Sequence, residues 1–154
     1  MRQTVLRLAI LFEGGLIVLA LGLGWLLGSP PFGRVSWSWP AVGSGLAATL
    51  IPLAGFWWLA HSRWRPFQRL MMEVEKIVRV FVESSYGEIA LISLLAGLGE
   101  EGFFRGVMQS ALAGWIGPAG ALLIASALFG LGHCVTPAYA LAAGVFGLYL
   151  GALL

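Results

Sequence analysis

Apolar and polar positions alternate along the chain in long blocks, with five apolar stretches separated by short polar or proline-containing segments. A helix needs about 20 apolar residues to cross a hydrocarbon core of about 30 Å. Blocks near this length predict membrane-spanning helices. The predicted spans, numbered one to five in chain order, are Val5–Leu27, Ala41–Ala60, Tyr86–Ala113, Pro118–Val135 and Ala138–Leu154.

The segment between the second and third spans has a different pattern. Between Phe67 and Phe81, apolar residues recur every three or four positions and charged residues lie between them. This periodicity predicts an amphipathic helix that lies in the membrane interface or packs with one face toward solvent, and a structural role is favoured over partner binding. The expected fold is therefore all-α: a polytopic membrane helix bundle with about five transmembrane spans and one amphipathic interfacial helix. We divide the chain into residues 1–85 and a motif-bearing core, residues 86–154.

Composition and charge support this setting. Of the 154 residues, 59% are hydrophobic and 10% are charged, whereas soluble domains carry about 25% charged residues. The net charge of +2 comes from basic residues that lie between apolar segments, which favours membrane lipids and excludes nucleic acid as partners. Arg63–Ser85 holds most of the basic residues, so the positive-inside rule predicts a multi-pass cell-membrane protein with a cytoplasmic N-terminus. A single cysteine, Cys134, excludes an internal disulfide.

The third span carries three ionisable side chains within six residues: Glu100, Glu101 and Arg105. Each such group at the centre of a membrane helix costs roughly 2.5–3.5 kcal/mol on insertion scales, so the run predicts a functional site. Glu101 and Arg105 are spaced i, i+4 and are expected to pair on one helix face. Glu100 points about 100° away and is expected to face another helix.

A histidine in the fourth span is predicted to meet Glu100. Glu100 and His133 lie nearly the same number of residues from the predicted turn near Ile116, so antiparallel helices place them at similar depth. Phe129 lies one turn before His133 on the same face. The pair predicts either a site where a carboxylate and an imidazole activate water or a purely structural polar cluster, and residue spacing does not separate the two.

The two motifs resemble those of the CPBP family (CAAX protease and bacteriocin-processing, also called Abi). The matching residues are E-E-G-F-F-R-G at Glu100–Gly106 and F-G-L-G-H at Phe129–His133, some 30 residues apart on adjacent spans. The resemblance covers residues 86–154. The family consists of multi-helix intramembrane endopeptidases.

The resemblance implies that Glu100 and His133 activate a water that attacks a peptide carbonyl, with Glu101, Arg105 and Phe129 in support. The substrate is then a peptide or a lipid-modified protein tail. The family's third motif, H-x-x-x-N or a variant, is absent from this sequence, which contains no Asn. A chain cut before that motif is the expected explanation.

Other residues are given structural roles. Glu13, in the first span, is interpreted as a carboxylate near the headgroups or a helix–helix contact, and His61 as an interfacial residue. No H-E-x-x-H motif is present, so no metal ligands or cofactor are predicted, although a divalent metal stays open. The alternative function is a non-catalytic membrane protein, such as a bacteriocin-immunity or assembly factor.

Overall fold

A computed structural model describes residues 2–154, and every regular element within them is helical. The all-α prediction is therefore confirmed. Six α-helices and one π-helical segment follow one another along the chain. They are α1 (Arg2–Leu26), α2 (Trp39–His61), α3 (Arg65–Arg79), α4 (Tyr86–Glu100), the π-helical segment (Glu101–Gln109), α5 (Ser110–Gly132) and α6 (Pro137–Gly151).

Three helical stretches of the described chain are long and apolar enough to cross a membrane: Gln3–Leu26, Trp39–His61 and Tyr86–Gly132. The last contains 47 residues, but Gly117 interrupts it with φ 77° and ψ 163°. A positive φ of this kind suits glycine, because other residues meet a steric clash between Cβ and the backbone there. The chain reverses at Gly117, within the turn predicted from the sequence.

The two arms on either side of Gly117 run antiparallel. The rings of Phe104 and Phe129 lie 5.2 Å apart between centroids, and Glu100 contacts His133. Both pairs are placed almost symmetrically about Gly117 in the sequence. This register confirms that the two motifs lie at the same depth.

Helix α6 folds back on α5 through the short turn after Gly132. A Cβ atom at Gly130 would lie 2.6 Å from the carbonyl oxygen of Ala140 and 3.1 Å from Gly144. Glycine thus permits a backbone approach that a larger side chain would prevent. The 15 residues of α6 span about 22 Å at a rise of about 1.5 Å per residue, which is shorter than the predicted fifth span.

Helix α1 packs along α4 and the π-helical segment, in the same direction. Its Glu13 lies beside Gly99, and its Gly24 lies beside Val107. The chain up to Arg34 and Val80–Leu154 form one compact unit. The division at residue 85 was drawn from the motifs and stays a prediction.

The second compact unit is Val35–Arg79, which contains α2 and α3. Ser38 caps α2 by accepting a hydrogen bond from the backbone N–H of Ala41. Along α3, the charged side chains pair at helical spacing, Lys76 with Glu73 at 3.0 Å and Arg79 with Glu75 at 2.8 Å. The helix is strongly amphipathic, as its sequence predicted.

Candidate active site

The carboxylates of the first motif lie at the start of the π-helical segment. Glu100 is the last residue of α4, and Glu101 is the first residue of the π-helical turn. At its far end the hydroxyl of Ser110 donates a hydrogen bond to the carbonyl of Arg105, five residues earlier, at 3.2 Å. π-Helical turns are rare and often occur at functional sites, because they change the direction in which side chains leave a helix.

Glycines let other parts of the chain approach this segment closely. A Cβ atom at Gly102 would lie 3.0 Å from the ring of Phe32, and one at Gly106 would overlap the backbone of Pro31. The loop after α1 therefore rests directly on the π-helical segment. The loop thus packs against one side of the segment that carries Glu101 and Arg105.

Glu100 and His133 face each other across the two arms. Oε1 of Glu100 lies 3.4 Å from Nε2 of His133, and their side chains are 24% and 30% exposed. The other ring nitrogen, Nδ1, lies 2.9 Å from the carbonyl oxygen of Phe129. A carbonyl oxygen only accepts, so Nδ1 carries a proton in this hydrogen bond and Nε2 is left to face the carboxylate. The pair is therefore only partly enclosed.

Glu101 and Arg105 form the ion pair that their spacing predicted. Nη1 of Arg105 lies 3.2 Å from Oε1 of Glu101, and the side chains are 4% and 43% exposed. No residue in the described part of the chain accepts a hydrogen bond from Nη1, so the attraction is between charges alone. The pair is thus buried at its arginine end only.

Arg105 has two further contacts that the sequence did not predict. Its Nη2 donates a hydrogen bond to the carbonyl oxygen of Gly147 on α6, at 3.3 Å. Its guanidinium carbon lies 4.4 Å above the ring of Phe129, a cation–π geometry. One side chain thereby connects the π-helical segment, α5 and α6.

Phe129 lies at the centre of the cluster. It is 3% exposed, and its ring lies 4.4 Å from that of His133 and 5.2 Å from that of Phe104. The five residues predicted for the site, Glu100, Glu101, Arg105, Phe129 and His133, are therefore brought together by the fold. Their individual roles stay predictions.

The structure adds a residue that the sequence analysis had set aside. A Cβ atom at Gly99 would lie 2.9 Å from the carbonyl oxygen of Glu13, which places Glu13 at the level of the site. Glu13 interacts electrostatically with Glu100 and with His133. The available signal was that Glu13 is the only acidic residue within the first apolar span.

The remaining candidates have other surroundings. Nδ1 of His61 donates a hydrogen bond to the carbonyl oxygen of Trp57 at 2.7 Å, and the His61 ring lies 4.6 Å from the Trp57 ring. Cys134 is exposed beside His133. Across residues 2–154, no three His, Cys, Asp or Glu side chains are grouped so as to hold a metal ion.

Comparison with known proteins shows a similarity for the C-terminal part of the chain. Residues 83–154 match the family model described as type II CAAX prenyl endopeptidase Rce1-like. No curated protein and no solved structure gives a significant match. The matched range contains both motifs and the turn between them. The resemblance predicted from those motifs is thus confirmed: residues 83–154 are similar to the Rce1-like type II CAAX prenyl endopeptidases.

Proposed function

We propose that this membrane protein is an intramembrane endopeptidase that cleaves a peptide bond in a membrane-associated or lipid-modified protein. The observation that carries the proposal is the contact of 3.4 Å between Glu100 and His133, within the Rce1-like domain. The name of the matching family makes a prenylated C-a-a-X tail the first substrate to test.

In the proposed reaction, Glu100 removes a proton from a bound water as the water oxygen attacks the scissile carbonyl carbon. The carbonyl π electrons move to oxygen and form a tetrahedral oxyanion. The oxyanion then collapses, the C–N bond breaks, and the proton held by Glu100 passes to the leaving amine. One water is consumed, giving a carboxylic acid and an amine, so atoms and charge balance.

His133, with both ring nitrogens protonated, is proposed to orient Glu100 and to stabilise its charge. The hydrogen bond from Nδ1 to the Phe129 carbonyl fixes the ring, so Nε2 stays directed at the carboxylate. A separation of 3.4 Å is long for a hydrogen bond, and such contacts commonly shorten when substrate binds.

The surrounding cluster supports this geometry. Arg105 is buried between the π-helical segment, Phe129 and Gly147, so it holds the two arms and α6 together. The ring of Phe129 packs against the His133 ring, and the ring of Phe104 packs against Phe129. Enclosure by apolar rings reduces screening by solvent and strengthens the interaction between Glu100 and His133.

The test uses the protein reconstituted in liposomes with a farnesylated C-a-a-X peptide as the probe. We expect Glu100→Gln and His133→Ala each to abolish cleavage while the protein stays folded. The double variant should be little worse than either single one, because both residues act on one water. Glu75→Gln, which removes an exposed carboxylate of α3, is the matched control and should cleave normally.

Three outcomes separate the alternatives. Normal cleavage by Glu100→Gln would eliminate the glutamate mechanism. Loss of folding in both site variants would favour the structural cluster and hence a non-catalytic membrane protein. Inhibition by a chelator, reversed by a divalent metal, would show that the water is activated by a metal as well.

A further inference from the structure

Glu13 approaches the candidate active site from a third helix. The contact between its backbone and Gly99 is so close that a Cβ at Gly99 would lie 2.9 Å from the Glu13 carbonyl oxygen, with Leu16 and Ile17 also in contact. Gly99 immediately precedes Glu100. The close approach of α1 to α4 therefore occurs at the level of the proposed base.

The carboxylate of Glu13 has an unsatisfied oxygen. Its Oε2 is buried, and no side chain or backbone group in the described chain donates a hydrogen bond to it. The ionisable groups with which Glu13 interacts are Glu100 on α4 and His133 at the end of α5. The guanidinium of the cluster, Arg105, is engaged by Glu101 and the Gly147 carbonyl.

A buried acceptor without a donor is unfavourable, and native proteins rarely retain one without a use for it. The proposed reaction supplies a suitable donor. A water held by Glu100 donates one O–H to that carboxylate, and its second O–H is free to donate to another acceptor. In a partly enclosed site the second O–H needs a protein acceptor.

We propose that Glu13 is a third catalytic residue, whose Oε2 accepts the second hydrogen bond of the water that Glu100 deprotonates. This inference rests on the proposed peptidase function. In this arrangement α1 supplies part of the site, although the family match begins only at residue 83. Two carboxylates from different helices hold the water, and one of them takes its proton.

The test compares two replacements of similar length. Glu13→Met removes both oxygens, whereas Glu13→Gln keeps one carbonyl acceptor. We expect Glu13→Met to lower kcat by about 10- to 100-fold, the effect of one lost hydrogen bond to a buried group. KM should change little, because the water and not the substrate is affected. Glu13→Gln should retain most of the activity.

Phe12→Met is the matched control, because Phe12 is the preceding residue on α1 and is 70% exposed. It should cleave the farnesylated peptide at the parent rate. Thermal unfolding gives a readout that does not depend on activity. Because Glu13→Met removes a buried oxygen that lacks a donor, its melting temperature should equal or exceed that of the parent.

The failure of this inference differs from failure of the proposed function. Parent activity in Glu13→Met, with Glu100→Gln inactive, would overturn the role of Glu13 and leave the peptidase intact. Parent activity in both would overturn both. Equal loss of kcat in Glu13→Gln and Glu13→Met would show that the charge is needed, against a role as acceptor. A lowered melting temperature with unchanged kcat would make Glu13 a packing residue.

Discussion

Arg105 is the residue whose removal should most affect the stability of the cluster. Its side chain is 4% exposed, donates a hydrogen bond to Gly147 and lies over Phe129. Arg105→Ala leaves a cavity and removes the hydrogen bond to the Gly147 carbonyl. We expect the free energy of unfolding to fall by about 3–5 kcal/mol, the range for truncating a large buried side chain or breaking a buried charged contact.

Double-mutant cycles would measure how much each partner of Arg105 contributes to the stability of the cluster. Glu101 is 43% exposed, so water stabilises its charge when the arginine is lost. The coupling between Arg105 and Glu101 should therefore be below about 1 kcal/mol, and adding Glu101→Gln should rescue little. Phe129 is buried beneath the guanidinium, and its coupling to Arg105 in a cycle with Phe129→Leu should be about 1–2 kcal/mol. The sequence predicted only the pairing of Arg105 with Glu101 and not the contact with Phe129.

The assay is reversible unfolding in mixed detergent micelles followed by circular dichroism. Arg105→Met is the control variant, because it keeps most of the side-chain length and packing and loses the charge. It should be more stable than Arg105→Ala and less stable than the parent. A Glu101 coupling larger than the Phe129 coupling would refute the reasoning, and so would parent stability in Arg105→Ala.

Two further predictions concern packing and topology. Gly106→Ala should lower the free energy of unfolding by about 1–3 kcal/mol, because the added methyl overlaps the backbone of Pro31. In the same unfolding assay the control Gly114→Ala should be neutral or stabilising, because no atom lies within 4 Å of its added Cβ. Equal effects of the two variants would contradict the close fit at Gly106. Helices α1 and α4 are parallel, so their N-terminal ends lie on the same side of the membrane, which the charge pattern predicts to be cytoplasmic. Val82→Cys in a Cys134→Ser background should therefore react with an impermeant thiol reagent only after the inner membrane is permeabilised. Labelling in intact cells would contradict a cytoplasmic N-terminus.

The sequence predicted the positions of the turns and the pairing of motifs better than it predicted packing between helices. The turn at Gly117 follows from a Gly-Pro pair between two apolar blocks. Once that turn is placed, the depth of Glu100 and His133 follows from the rise per residue, because two antiparallel helices must match about their turn. The contact of 3.4 Å between Glu100 and His133 could therefore be predicted from the number of residues that separates each of them from the turn.

The position of Glu13 could not be found in this way. Helix α1 is apolar on all sides, so no amphipathic face indicates which residues meet α4. The contact depends on where a glycine of α4 admits the backbone of α1, and Gly97 and Gly99 are equally plausible from the sequence. In the structure, Gly99 has close contacts, whereas no atom lies within 4 Å of a Cβ at Gly97.

The π-helical segment explains how two adjacent carboxylates serve different partners. In a regular helix the side chains of Glu100 and Glu101 diverge by about 100°. That angle separates the two carboxylates, but the directions of the side chains that follow are then set by the regular helical repeat. The wider turn begins at Glu101 and ends at Gln109, so Glu100 keeps the direction set by α4 while Arg105 takes a direction set by the π-helical turn. Arg105 then reaches both Phe129 and Gly147 without displacing Glu100 from His133.

The glycines of the motif allow Phe32 and Pro31 to pack against the wider turn, and this packing offsets the cost of the irregular geometry. The spacing of the motif thus reflects a local change of helix type, which residue periodicity alone does not reveal.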